Sequence, residues 1–97
     1  MKKVNNKLQH LLDKLSETQE WLEEYKEQLE YDKQTAEEER DELDNNLADE
    51  EISEREYNKS LRKIESKIEK IDEAIEFCDD AYESLDNAIS DIESVTI

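Results

Sequence analysis

Apolar residues recur at alternating intervals of four and three in both halves of this chain, and this spacing constrains its fold more than any other feature. Such a heptad repeat places apolar side chains along one seam of an α-helix. In the first half the seam residues are Val4, Leu8, Leu11, Leu15, Thr18, Leu22, Tyr25 and Leu29. In the second half they are Tyr57, Leu61, Ile64, Ile68, Ile71, Ile75, Cys78, Tyr82, Leu85, Ile89 and Ile92. The spacing predicts two helices that pack along these seams.

The segment LADEEISEREY, residues 47–57, breaks this repeat at the middle of the chain. If the seam continued through it, Glu50 and Glu54 would face inward and Ile52 would not. Ser53 and Glu56 form the S-x-x-E pattern of a capping box, which starts a helix. Because the chain has no Gly or Pro, the nearby Asp and Asn residues supply the turn-forming cluster of this region. The pattern favours an antiparallel hairpin over one continuous rod.

These features predict an all-α fold, a long antiparallel two-helix hairpin of the coiled-coil type that dimerises into a four-helix bundle. We expect a single domain over residues 1–97, with a helix over about 5–48, a turn over about 49–52 and a helix over about 53–95. Facing seam residues have numbers that sum to 100, as for Leu29 with Ile71 and Leu22 with Cys78. The same pairing places the basic run at 59–70 opposite acidic residues at 30–41, which adds charge complementarity.

The first helix departs from the repeat after Leu29, where Asp32 and Glu39 would occupy seam positions. A stutter, which shifts the heptad frame, would turn these carboxylates outward. It would bring inward Lys33, Ala36, Arg40, Leu43 and Leu47. We prefer the stutter because Lys and Arg can lay their alkyl stems on a seam and keep their charges in water.

The charge balance is strongly acidic, with 30 Asp and Glu against 13 Lys and Arg and a formal charge of -17. This excess favours a basic protein surface as partner, including that of a nucleic-acid-binding protein. It disfavours direct binding to nucleic acid or to an anionic membrane. The N-terminal sequence lacks the apolar core and cleavage site of a signal peptide, no stretch is apolar enough to span a membrane, and a single Cys forms no internal disulfide. We therefore expect a cytoplasmic protein.

Catalytic and cofactor sites find little support in the sequence. A phosphate cradle and an EF-hand loop both need glycine, and a two-helix hairpin offers no cleft in which paired carboxylates could act on a substrate. His10 is expected to face outward, with no second His in the chain. Cys78 falls on the seam, where we expect a small buried apolar side chain. We expect no enzyme activity, no cofactor and no metal site.

Two surfaces of the predicted hairpin are candidates for binding a partner. The first is an acidic face of carboxylates three and four residues apart, which line up along each helix. Its members are Glu20, Glu23, Glu24, Glu27, Glu30, Asp72, Glu73, Glu76, Asp79, Asp80 and Glu83. The second is an edge where small residues of one helix lie beside a large aromatic residue of the other, and two helices alone leave this edge uncovered. Its members, the expected homodimer interface, are Trp21, Ala74, Ala81, Ala88 and Val95.

Two short motifs resemble those of known families. Tyr82 to Asp86 matches the Y-x-x-x-[DE] tail signal of type VII secretion substrates, which this chain resembles in size and in the predicted hairpin shape. Those proteins carry W-x-G at the turn, whereas this chain has no glycine and its Trp21 lies far from the turn. Residues 47–57 resemble the L-x-D-G-x-I-T-x-x-E-[FY] helical segment found at the ends of many bacterial proteins, with Glu50 or Glu51 in place of its glycine. This second resemblance implies only a turn followed by a helix.

Three functions are compatible with these features. The acidic face could imitate nucleic acid, so that the protein inhibits a target by occupying its basic nucleic-acid-binding surface, as phage and mobile-element inhibitors of restriction or CRISPR effectors do. The edge at Trp21 and Ala81 could instead dock a partner coiled coil, which would make the protein an adaptor or scaffold. The type VII resemblance implies a secreted cargo. Mimicry predicts salt-sensitive binding, adaptor function predicts salt-tolerant binding, and secretion predicts export that depends on Tyr82.

Overall fold

The protein is a long antiparallel two-helix hairpin in a computed structural model, which describes the backbone of residues 2–95 and the side chains of residues 6–95. Helix α1 spans Lys2–Ala48 and helix α2 spans Glu54–Val95. No strand occurs in residues 2–95. The predicted all-α hairpin is therefore confirmed. The dimer and the single-domain organisation stay predictions.

Helix α1 ends in a Schellman motif. The N–H of Glu51 donates to the C=O of Asn46 at 2.9 Å, and the N–H of Glu50 donates to the C=O of Leu47 at 3.1 Å. Glu50 has a φ of 61°, the left-handed conformation that this motif requires and that glycine normally supplies. Of the two residues that the L-x-D-G-x-I-T resemblance left open, Glu50 is the one that adopts the conformation of the glycine.

Helix α2 begins at a capped N-terminus. The Ser53 Oγ accepts a hydrogen bond from the N–H of Glu56 at 3.2 Å, and the Ser53 C=O accepts one from the N–H of Tyr57 at 2.9 Å. The helix start predicted from the S-x-x-E pattern is therefore confirmed. Glu54 and Glu56 also place carboxylates in the first turn, at the positive end of the helix dipole. The cap and the Schellman motif together reverse the chain without a glycine.

The seam predicted for α2 is confirmed. Its buried members are Ile71 and Cys78. Its half-buried members are Tyr57, Leu61, Ile64, Ile68, Ile75, Tyr82, Leu85, Ile89 and Ile92. Four small residues that precede seam positions are half-buried as well: Ser60, Ala74, Ala81 and Ala88. The apolar contact of α2 is therefore wider than a single seam.

The seam predicted for the first part of α1 is wrong by one residue at every second position. The residues expected inward but found exposed are Leu11, Thr18 and Tyr25. The residues found inward in their place are Leu12, Gln19 and Lys26. The observed seam continues through Leu29, Lys33, Ala36, Arg40, Leu43 and Leu47 with no shift of the heptad frame. The predicted inward position of the last five residues is therefore confirmed, but the predicted stutter is absent from the observed seam. Val4, the first residue of the predicted seam, lies outside the residues whose side chains are described.

The corrected frame places a row of polar residues on the α1 seam, and ion pairs explain why it is tolerated. Lys26 Nζ lies 2.6 Å from Asp79 Oδ1, and Lys33 Nζ lies 2.7 Å from Asp72 Oδ1. Both lysines are half-buried, and their ammonium groups reach carboxylates of α2. Long side chains can lie on a seam in this way and keep their charge at its edge. The expected ion pairing between the basic run at 59–70 and residues 30–41 is not formed in the part of the chain that the structure describes.

The helix pair divides into two compact units. In the first unit, formed by α1 up to Lys26 and α2 from Glu76, Gln19 Nε2 donates to the C=O of Tyr82 at 3.3 Å. In the second unit, Glu27–Ile75, the Tyr57 hydroxyl donates to Asp44 Oδ1 at 2.6 Å. In both pairs the residue numbers sum to 101. Each unit is therefore antiparallel within one residue of the predicted register.

Candidate protein-binding surfaces

All eleven residues of the predicted acidic face are exposed. One row of carboxylates on α1 consists of Glu20, Glu23, Glu27 and Glu30. One row on α2 consists of Asp72, Glu76, Asp79 and Glu83. Because intervals of three and four residues repeat in both sets, each row follows one side of its helix. The remaining three lie one residue further around the helix: Glu24, Glu73 and Asp80.

Contacts across the seam place members of both rows on one side of the helix pair. In the first unit, Lys26 bonds to Asp79, and the Tyr82 hydroxyl donates to Glu23. In the second unit the Lys33 ion pair described above has the same arrangement. In the first unit these contacts place Glu23 and Asp79 on the same side of the seam. The intervals of three and four residues place the other members of each row on the same face of their own helix. We call the two rows the acidic side.

The contacts to these carboxylates raise the pKa of their donors. The hydrogen bond to Glu23 raises the pKa of the Tyr82 hydroxyl, and the charge of the same carboxylate adds to the effect. The hydrogen bond to Asp72, together with its charge, raises the pKa of the Lys33 ammonium. In both cases the negative carboxylate favours the protonated donor. The Lys33 ammonium therefore neutralises part of the charge of the acidic side, whereas the uncharged Tyr82 hydroxyl only hydrogen-bonds to it.

Exposed aromatic rings lie on the other flank of the seam. Trp21 is 57% exposed and Tyr25 is 43% exposed. Their rings are stacked, with centroids 5.2 Å apart and 5° between the ring planes. On α2, Phe77 is 69% exposed. The heptad frames place all three residues on the flank away from the acidic side, and we call this flank the aromatic side.

The residues predicted for a homodimer interface differ in exposure. Ala74, Ala81 and Ala88 are half-buried, whereas Val95 is exposed. Trp21 is exposed and stacks on Tyr25. The sequence analysis missed the two other exposed rings of this flank, because it placed Tyr25 on the seam and gave Phe77 no role. An aromatic residue three positions from Ala74 and four from Ala81 was the available signal for Phe77.

A basic groove, which the sequence analysis did not single out, lies between the helices of the second unit. It has a volume of about 370 Å³. Its apolar lining consists of Leu29, Ile71 and Ala74, and its polar lining consists of Asp32, Lys63, Ser66, Lys67 and Lys70. The three lysines are exposed, and none forms an ion pair with another described residue. We call this feature the lysine groove; intervals of four and three between its lysines were the signal in the sequence.

The residues considered for chemistry or export are placed as follows. His10 is exposed and Cys78 is 3% exposed, as predicted. Tyr82, the first residue of the secretion-like motif, is half-buried and bonded to Glu23. Among the described residues, no three His, Cys, Asp or Glu side chains are grouped so that they could hold a metal ion. Neither helix, over its described length, is long and apolar enough to cross a membrane.

The described residues thus present three surfaces of different chemistry: the acidic side, the aromatic side and the lysine groove. Fixed charges and exposed rings of this kind are suited to contact another macromolecular surface. No protein-family model, curated protein or solved structure matches the chain.

Proposed function

We propose that this protein is a non-enzymatic inhibitor that acts in the cytoplasm, and that its acidic side occupies the basic nucleic-acid-binding surface of a target protein. The observation that carries the proposal is the arrangement of exposed carboxylates in two rows on one side of the helix pair. Residues 71–97 contain no Lys or Arg, and residues 16–32 contain only Lys26. Within residues 16–32 and 71–97, which contain the two rows, Lys26 is therefore the single Lys or Arg.

The spacing of the carboxylates supports imitation of a phosphate backbone. Successive members of one row are about 5 Å apart along the helix, so two rows side by side offer one carboxylate per ~2.6 Å. Duplex DNA carries one charge per ~1.7 Å along its axis, and each of its strands one per ~3.4 Å. The acidic side falls between these values. Lys26 and Lys33 lower its effective charge locally, because each is paired with a member of the α2 row.

Nucleic-acid competition tests this function directly. A target would be captured from lysate on the immobilised protein at low salt, and its own duplex or guide nucleic acid would then be added. We expect mutual displacement, because both ligands occupy the same basic surface, and binding that weakens steeply with salt. If the target binds nucleic acid and this protein at the same time and independently, the proposed mimicry is wrong.

A second candidate function, a coiled-coil adaptor, is favoured by the aromatic side. Trp21 and Tyr25 are stacked and are each more than two-fifths exposed, and in this they resemble the aromatic anchors of protein interfaces. An adaptor would dock a partner helix through this flank and leave the acidic side in solvent. Its binding would tolerate salt and would be lost on Trp21→Ala. Binding through the acidic side would be lost on neutralising carboxylates and kept on Trp21→Ala.

A further inference from the structure

The lysine groove is locally opposite in charge to the rest of the molecule. Lys63, Lys67 and Lys70 stand beside an apolar floor that includes Leu29 and Ile71. These lysines have no ion-pair partner among the described residues, although the chain carries a formal charge of -17. Ammonium groups around an apolar floor favour an occupant with carboxylates and one apolar anchor.

A nucleic acid fits this groove less well than an acidic helix does. The floor is apolar and Asp32 lies in the lining, so a phosphate backbone would meet a carboxylate and would leave the floor uncovered. The strongly negative chain would also repel a polyanion at a distance. An acidic amphipathic helix would avoid both costs, because its apolar residue covers the floor and its carboxylates reach the lysines.

The chain itself contains a segment with this chemistry. Glu73, Phe77 and Asp80 follow at intervals of four and three, so they share one side of α2. Phe77, at 69%, is the most exposed of the large hydrophobic side chains described. From Asp72 onward the chain has no basic residue. The ring of Phe77 is thus flanked by carboxylates on both sides along the helix.

We propose that the lysine groove binds the segment around Phe77 of a second copy of this chain. The partner's Phe77 covers the floor formed by Leu29, Ile71 and Ala74, and the carboxylates beside it reach the lysine rim. Because every copy carries both the groove and the segment, the contact forms twice about a two-fold axis, as in most homodimers. This interface shares Ala74 with the edge predicted at Trp21, but its aromatic anchor is Phe77 instead of Trp21. It leaves the two rows of the acidic side in solvent.

Removal of the apolar anchor is the first test. Sedimentation velocity over a concentration series would compare the wild-type protein with Phe77→Ala and with Tyr31→Ala, a control at another aromatic residue that is 65% exposed. We expect a wild-type dimer, a dissociation constant about tenfold or more higher for Phe77→Ala, and no change for Tyr31→Ala. A wild-type monomer at about 100 µM, or equal dissociation constants for Phe77→Ala and wild type, would overturn the proposal.

Charge reversal with rescue is the second test. A groove variant carries Lys63→Glu, Lys67→Glu and Lys70→Glu, and a segment variant carries Glu73→Lys and Asp80→Lys. We expect each variant alone to be at least tenfold weaker as a dimer, and an equal mixture of the two to form a heterodimer. Circular dichroism confirms that each variant remains helical. A mixture that stays monomeric would refute the contact between groove and segment.

A matched control tests whether dimerisation depends on the position of the lysines or only on the net charge of the protein. The triple variant Arg55→Glu, Lys59→Glu and Arg62→Glu makes the same three charge reversals on the same helix, outside the groove lining. It should dimerise as the wild type does. If it loses the dimer as the groove variant does, net charge rather than the groove controls association and the proposal is wrong. None of these variants alters the acidic rows, so this test does not depend on the proposed inhibitor function.

Discussion

Lys33 on the α1 seam reaches across to Asp72 on α2, and its ammonium nitrogen lies 2.7 Å from the carboxylate. One heptad earlier on α1, Lys26 reaches Asp79, one heptad later on α2. The two ion pairs are therefore related by equal steps in opposite directions, as antiparallel helices require. These ion pairs hold polar residues on the seam, where apolar packing alone would not place them.

A charge swap tests the Lys33 pair. Lys33→Glu should lower the melting temperature because its carboxylate would face Asp72, and Asp72→Lys should lower it because two ammonium groups would meet. The double variant should recover part of both losses, measured by thermal unfolding followed by circular dichroism. As a control, Lys33→Glu combined with Glu73→Lys makes the same change in charge one residue away and should give less recovery. Equal recovery in the two double variants would contradict the pairing.

Two neighbouring leucines test the corrected α1 frame. Leu12 is 9% exposed and Leu11 is 44% exposed. Leu12→Ala should lower the free energy of unfolding by about 2 kcal/mol, because it leaves a cavity in the seam. Leu11→Ala should lower it by less than about 1 kcal/mol. Chemical denaturation of both variants measures the difference, and a larger loss for Leu11→Ala would restore the frame predicted from the sequence.

The helices and the turn could be predicted because their signals are local. The apolar repeat of α2 is nearly pure, and the Ser53 cap is set by two residues three apart. The α1 frame could not be predicted in the same way, since Leu11 and Leu12 are equally apolar and Thr18 and Tyr25 fit an apolar repeat better than Gln19 and Lys26. Contacts from α2 favour the observed frame, through the ion pair of Lys26 with Asp79 and the hydrogen bond of Gln19 to Tyr82. Counting apolar residues does not register these contacts.

The candidate surfaces also differ in whether residue type alone or contacts between the two helices determine them. Exposure of the acidic residues follows from their charge, so the acidic face could be located from the sequence. The lysine groove depends on which lysines of α2 form no ion pair with another described residue. The charge pattern placed the basic run at 59–70 opposite acidic residues at 30–41. In the described residues, however, the ion pairs across the seam join lysines of α1 to Asp72 and Asp79. The register predicted from the sequence therefore did not show that the lysines of the groove would lie without an ion pair.

The left-handed residue of the turn gives a prediction for stability. Glu50 has a φ of 61°, a conformation that costs an ordinary residue free energy and that asparagine adopts more readily. Glu50→Asn should raise the free energy of unfolding by about 0.5 kcal/mol. Glu51→Asn is the matched control, with the same change in charge at the next exposed residue of the turn, and should have a smaller effect. Chemical denaturation would contradict this account if Glu51→Asn stabilised the protein more.

Two tyrosines predict how stability changes at alkaline pH. Hydrogen bonds to Asp44 and Glu23 raise the pKa of Tyr57 and Tyr82, respectively. A raised pKa in the folded state means that the stabilisation is complete below the unfolded value of about 10 and is lost as the pH rises through the folded value. Melting temperatures should therefore fall more steeply from pH 9 to pH 11 (about one unit either side of that value) in the wild type than in the double variant Tyr57→Phe and Tyr82→Phe. The double variant Tyr25→Phe and Tyr31→Phe, at two exposed tyrosines, should fall as steeply as the wild type, and an equal slope in all three proteins would contradict the prediction.

The central claim is that the position of the carboxylates, and not net charge, makes the protein bind its target. Two variants separate these possibilities, because each removes four negative charges by Glu→Gln substitution at exposed residues. The first neutralises members of the acidic side: Glu20, Glu27, Glu76 and Glu83. The second neutralises residues outside it: Glu17, Glu39, Glu42 and Glu51.

The most direct measurement is the dissociation constant of each variant for the captured target at one fixed ionic strength, after circular dichroism has shown that both are folded. Neutralising the acidic side should weaken binding by a factor of ten or more, since each charged contact to a basic surface contributes to affinity. The control variant should bind within about threefold of the wild type, a difference of less than ~1 kcal/mol. Equal weakening in the two variants would show that net charge alone drives binding and would contradict the proposed role of the acidic side.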